Sequence, residues 1–79
     1  MGDLHDNLVS NVRRLAKRQG WSMNRTADAA GVSRSGLSNI MRGAKSPTLE
    51  TVEKLAAAFE VPPLKLFADN RAEQPRALA

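Results

Sequence analysis

The chain has 79 residues, with twelve Lys or Arg against eight Asp or Glu and a formal net charge of +4. That length supports one small domain, below the roughly 100–150 residues usual for domains, burying only about 60% of its unfolded surface. With no cysteine, disulfide staples and thiolate metal sites are excluded. The longest apolar run, Leu55 to Phe59, falls far short of the roughly 20 residues that span a bilayer. Met1-Gly2-Asp3, followed by His5, Asp6 and Asn7, carries no signal-peptide pattern. A soluble, cytoplasmic, single-domain protein without membrane association is therefore expected.

Helical signals run through the chain in order. Leu4, Leu8, Val12, Leu15 and Ala16 repeat at three- and four-residue spacing, the stripe of an amphipathic helix. Asp3 stands where an N-cap belongs, and Gly20 is placed to end the helix in a left-handed conformation. A second short helix opens at Ser22, turns Ala27 and Ala30 inward, and stops at Gly31. The third opens at Ser33, with Leu37, Ile40 and Met41 as its apolar positions, and stops at Gly43. Ser46-Pro47-Thr48 announces a fourth, whose stripe is Leu49, Val52, Leu55, Ala56 and Phe59. Pro62-Pro63 then breaks the chain and starts a short fifth helix through Leu64, Leu66 and Phe67. No alternating β-branched run or hairpin dipeptide occurs. The fold class expected is all-α, five short helices about one core in residues 1–67, with a flexible tail over 68–79. The expected core comprises Leu4, Leu8, Val12, Leu15, Ala27, Val32, Leu37, Ile40, Val52, Leu55, Phe59 and Phe67, with Trp21 beside it.

The charge is unevenly placed. Residues 13–45 hold eight bases (Arg13, Arg14, Lys17, Arg18, Arg25, Arg34, Arg42 and Lys45) and a single acid, Asp28, for +7. Residues 1–12 contribute −2 and residues 46–79 contribute −1. A concentrated positive field attracts polyanions by steering and counterion release; the same charge is equally compatible with solvated helix faces.

The informative stretch is Ser22 to Gly43, SMNRTADAAGVSRSGLSNIMRG. Two short helices are joined by Ala30-Gly31-Val32-Ser33, a connection of the length a helix-turn-helix uses. Gly31 permits the positive φ that ends the first helix, Val32 plugs the angle, and Ser33 caps the second. Ala27 is small where the helices approach. A helix of about nine residues is near 13 Å long, suited to a major groove roughly 12 Å wide.

With Ser22, Ala27, Ala30-Gly31-Val32-Ser33, Leu37, Ile40 and Gly43, and downstream Pro47 to Val52 and Leu55, Ala56, Ala58, Phe59 and Val61, the chain resembles the Cro and phage-repressor (XRE-like, lambda-repressor-like) helix-turn-helix family. The resemblance covers roughly residues 4–67. It implies a sequence-specific regulator of transcription, a repressor binding a palindromic operator in double-stranded DNA as a homodimer. In the family's pattern Arg34, Ser35, Ser38 and Asn39 face base edges, where Arg34 would grip guanine O6 and N7 and Asn39 adenine N6 and N7. Ser22, Met23, Asn24, Arg25, Ser33, Arg42, Lys45 and Ser46 would contact the DNA backbone. Three positions depart from the family: Met23 replaces a frequent Gln, Thr26 a core Leu, and Glu60 the Gly that closes the fourth helix. A non-Gly residue at positive φ there would cost on the order of 1 kcal/mol.

Other readings divide by class. Gly36, inside the third helix, fits either close backbone approach to DNA or simple tolerance near a helix start. Arg13, Arg14, Lys17 and Arg18 are expected on the exposed side of the first helix, supplying long-range attraction. Leu64, Leu66 and Phe67 are the expected dimer interface. One His, no Cys, no Tyr and no Gly-rich phosphate loop leave no set for catalysis, metal or cofactor. The alternative class is an antitoxin-like or accessory module that uses the same scaffold to bind a protein partner.

Overall fold

Serine and threonine open the helices, and left-handed residues close them. The structure, a computed structural model, describes residues 3–68. These form α1 (Asp3–Gln19), α2 (Met23–Ala30), α3 (Arg34–Met41), α4 (Leu49–Phe59) and a 3-10 helix (Pro63–Phe67). No strand occurs among the described residues. The Ser22, Ser33 and Thr48 hydroxyls accept from the backbone N–H of Arg25, Gly36 and Thr51, so three helices have a side-chain cap. Asp3, expected as the first cap, is instead the first residue of α1. Beyond Ala68, the tail expected over 68–79 lies outside the described residues.

All four α-helices close with one bond pattern. Gly20, Gly31, Gly43 and Glu60 donate to the carbonyls of Lys17, Asp28, Ile40 and Ala57. The residues after them, Trp21, Val32, Ala44 and Val61, donate to Ala16, Ala27, Asn39 and Ala56. This is the Schellman arrangement, and it requires a left-handed residue at its corner. Three corners are glycine; the fourth is Glu60 at φ 59, the sole non-glycine with positive φ among the described residues.

The core draws on every element: Leu8, Val12 and Ala16 from α1, Ala27 and Ala30 from α2, and Leu37, Ile40 and Met41 from α3. Val52, Leu55, Ala56 and Phe59 join from α4, and Leu66 from the 3-10 helix. Leu15, Trp21, Val32 and Phe67 pack against this cluster while half-buried, and the Trp21 ring stacks on Phe59 with centroids 5.4 Å apart. Leu4 and Leu49 depart from expectation, being 65% and 81% exposed. Both occupy a first helical turn, where Cα–Cβ bonds tilt toward the N-terminus and carry the side chain past the packed body.

The fifth helix is a five-residue 3-10 turn rather than an α-helix. Pro63 starts it, but so short a segment closes more readily with the tighter i→i+3 bonds. What holds it is Asn11, a fully buried polar residue of α1. Its Nδ2 donates to the carbonyls of Leu66 at 2.8 Å and Ala68 at 2.9 Å, and more weakly to Lys65 at 3.4 Å. One turn earlier, Asn7 donates to the Phe67 carbonyl at 3.3 Å. Arg14, expected to be exposed, is half-buried because its Nη2 donates to Asn11 Oδ1 at 3.1 Å. Thr26, at the family's Leu position, is also fully buried, its hydroxyl donating to the Ser22 carbonyl at 2.8 Å.

Candidate nucleic-acid interface

The bend between α2 and α3 arises from four consecutive residues. Ala30 is buried at the end of α2, Gly31 turns the chain at φ 75, and Val32 lies half-buried against the core. Ser33 then caps α3. Leu37, Ile40 and Met41 turn inward along α3, which leaves Arg34, Ser35 and Ser38 exposed and Asn39 half-exposed on the opposite side. At eight residues α3 is about 12 Å long, the width of a major groove. At the far end of α3, His5 donates its Nε2–H to the Ile40 carbonyl at 2.8 Å and ties the last turn to α1.

The nearest neighbour of Gly36 is the cap of its own helix. A Cβ built there would stand 2.6 Å from the Ser33 hydroxyl oxygen, which accepts from the Gly36 N–H at 2.9 Å. Arg25 and Thr51 hold the same position against Ser22 and Thr48 with a Cβ in place, so a small rotation of the Ser33 side chain would admit one. An Ala at this position gains up to about 1 kcal/mol of helix propensity, less the cost of shifting the Ser33 hydroxyl.

Two of the four expected base-contact residues have intramolecular partners. Arg34, the first residue of α3, donates from Nε at 3.2 Å and from Nη2 at 2.8 Å to the two carboxylate oxygens of Asp28 on α2. These bonds hold the Asp28 carboxyl below its ordinary value; burial opposes that shift, and the charges of Arg34 and Arg25 assist it. The same carboxylate pushes the Arg34 guanidinium up. A cation at a helix N-terminus is electrostatically unfavourable, and Asp28 offsets that cost. Asn39 accepts from Arg42 Nη2 one turn along, which joins an expected base contact to an expected backbone contact.

The expected backbone contacts fall into two groups. Ser22, which caps α2, lies exposed with Asn24 and Arg25 at the start of that helix. Met23 is half-buried against the core, so its thioether faces inward and what it offers a phosphate is a first-turn backbone N–H. Arg42, Lys45 and Ser46 are exposed between α3 and α4. Lys45 and Ser46 line a cleft together with Ser33 and Gly36 of the α3 start and Thr48, Thr51 and Lys54 of the α4 start. Lys54, which is not among the expected contacts, pairs at 3.3 Å with Glu50 of the same cleft, so its charge is balanced there. Its only local signal was the i,i+4 spacing to an acid.

At the expected dimer interface the three residues separate. Leu64 is 83% exposed, Phe67 is half-buried against the core, and Leu66 is completely buried. Leu66 is a core residue and offers a partner nothing; within a 3-10 helix, residues two apart face different sides.

Residues 12–66 match the family HTH_3, described as helix-turn-helix. The chain belongs to this helix-turn-helix family. One relative is the HTH-type transcriptional regulator SutR of Escherichia coli, 40% identical over 55 residues, which make up 70% of this chain and 31% of that protein. The competence pilus inhibition repressor of Acinetobacter baylyi is 39% identical over 61 residues, 75% of this chain and 56% of that protein. The helix-turn-helix chain thus spans only part of either regulator's length. In three dimensions it resembles a hypothetical transcription factor from Neisseria, with a TM-score of 0.86 at 30% identity, covering 90% of this chain and 80% of that one. No helix among the described residues is long and apolar enough to cross a membrane.

Proposed function

We propose that the chain is the DNA-reading module of a transcriptional regulator, a repressor that binds a palindromic operator in double-stranded DNA as a homodimer. The observation that carries this reading is the position of α3. The Gly31 corner turns it so that its apolar side is spent on the core while Arg34, Ser35, Ser38 and Asn39 remain outward. Flanking it are the start of α2 and the Lys45–Ser46 cleft, within a stretch of net charge +7. Groove-reading side chains between two backbone-gripping edges are what a duplex requires. The kinship to proteins named as regulators, one of them a repressor, supports the same reading.

The dimer is supported by exposed Leu64, with Phe67 at the margin of the core beside it. Two copies would set their recognition helices about 34 Å apart, one turn of duplex. Selection from a random duplex library tests operator and assembly together. The expected result is an enriched palindrome whose half-sites are one helical turn apart. Enrichment of a lone half-site would remove the homodimer, and no enrichment at all would remove DNA reading in favour of a protein-binding module.

A further inference from the structure

The basic stretch 13–45 contains a single acid, and that acid sits against the first residue of the recognition helix. Charge alone argues against a carboxylate at this place, since it repels the phosphates the surrounding bases attract. Its geometry offers a compensating role. Arg34 spends its Nε–H and one Nη2–H on the two Asp28 oxygens at 3.2 and 2.8 Å. A guanidinium has five N–H donors in a rigid planar fork. Binding along the Nε/Nη2 edge leaves the adjoining end of the fork, one N–H from Nη1 and one from Nη2, unused by Asp28. That remaining edge has the spacing that matches the paired O6 and N7 acceptors of guanine. Both side chains are more than half exposed, so the pair stands on the surface and is not packed into the core.

We propose that Asp28 is a positioning residue for base reading: its carboxylate clamps one edge of Arg34 so that the other edge is presented, flat and pre-oriented, to a guanine in the operator. The proposal rests on α3 being the groove-reading helix. A long, flexible side chain loses rotamer freedom when it docks, and a clamp made before binding lowers that loss. The clamp acts on one side chain, so its benefit belongs to one base pair. The cost of the negative charge falls on every sequence alike. Removing the charge therefore has two effects of opposite sign.

The experiment compares the full chain with its D28N, D28E, R34A and D28N/R34A variants, using selection from random duplexes and salt titrations on mixed-sequence duplex. Circular dichroism melts confirm folding in each case. D28N is expected to bind mixed-sequence duplex as well as or more tightly than the unmodified chain. At one position of the selected site, its preference for guanine over adenine is expected to fall about fivefold, within the range one bidentate contact confers. R34A should abolish preference at that same position, the double variant should match R34A, and D28E should retain part of the preference. Three results would overturn the clamp: unchanged selectivity in D28N, an equal loss of affinity for all sequences, or a selectivity loss in the double variant beyond that of R34A. If the unmodified chain enriches no motif, the groove-reading assignment falls and takes this proposal with it. A motif that D28N reproduces unchanged overturns the clamp alone.

Discussion

Glu60 holds a left-handed backbone at φ 59 and ψ 43 where the other three helix ends use glycine. The conformation is strained for any side chain, and a carboxylate at a helix C-terminus also faces the negative end of the dipole. Glu60→Gly is expected to stabilise the chain by about 1 kcal/mol, raising Tm by roughly 4–8 °C for a domain of this size. Glu60→Lys keeps the strain and reverses the charge, so it should recover only a few tenths of a kcal/mol; equal melts for both variants would refute the backbone origin of the cost. Asp28 permits a second check at this scale. With its folded pKa depressed chiefly by the Arg34 hydrogen bonds, its ion pair contributes stability above the unfolded aspartate pKa. That contribution is lost as pH falls through the folded value. An NMR titration should find the Asp28 carboxyl below its ordinary 3.8, and Arg34→Met should raise it. A carboxyl that titrates identically in both proteins would show that the pair does not persist in solution.

At the scale of elements, the 3-10 helix depends on α1 more than on itself. It has no side-chain cap of its own, and its C-terminal carbonyls reach outward to Asn7 and Asn11. Replacing the buried Asn11 by Leu removes the donors and leaves carbonyls unmet, which costs about 1–3 kcal/mol. Asn11→Asp should be worse at neutral pH, because a carboxylate would face those carbonyls. Burial and the facing carbonyls would raise its folded pKa against the lowering pull of Arg14, whose Nη2 lies 3.1 Å from the Asn11 oxygen. The excess penalty is therefore full above the folded value and fades as pH falls through the unfolded one. Denaturant melts at pH 7 and pH 4 check this: the gap between the Asp and Leu variants should narrow in acid, and a gap independent of pH would contradict repulsion between the carboxylate and those carbonyls.

For the whole molecule, the decisive quantity is where the positive charge lies. The +7 over residues 13–45 covers the C-terminal part of α1, α2, the bend, α3 and Lys45, while the flanks are slightly acidic. Lys45→Ala should weaken binding to all duplexes alike and reduce the slope of log K against log salt by about one unit. A loss confined to the selected operator would instead make Lys45 a reader of bases. Leu64→Lys should leave monomer folding intact and shift sedimentation toward the monomer. A change in Leu66 would unfold the chain before it reported on assembly, because that residue is completely buried.

The helix boundaries were legible because they are local. A serine or threonine oxygen meets an N–H three residues on, a left-handed residue closes the last turn, and both act within one turn of chain. Gly31 and Ser33, and with them the bend that places α3, could be read directly, as could the strain at Glu60. What tertiary structure decided were the pairings between residues distant in sequence or on different elements. No periodicity marks Asn11 as the partner of carbonyls more than fifty residues away. Nothing local separates buried Leu66 from exposed Leu64, because both are leucines of one short turn and only the body behind them differs. Asp28 read as the lone acid of a basic stretch, and only the folded α2–α3 corner brings it to Arg34. Short-range hydrogen bonds and backbone sterics are written residue by residue, whereas burial and long-range pairing depend on which surfaces the folded chain brings together.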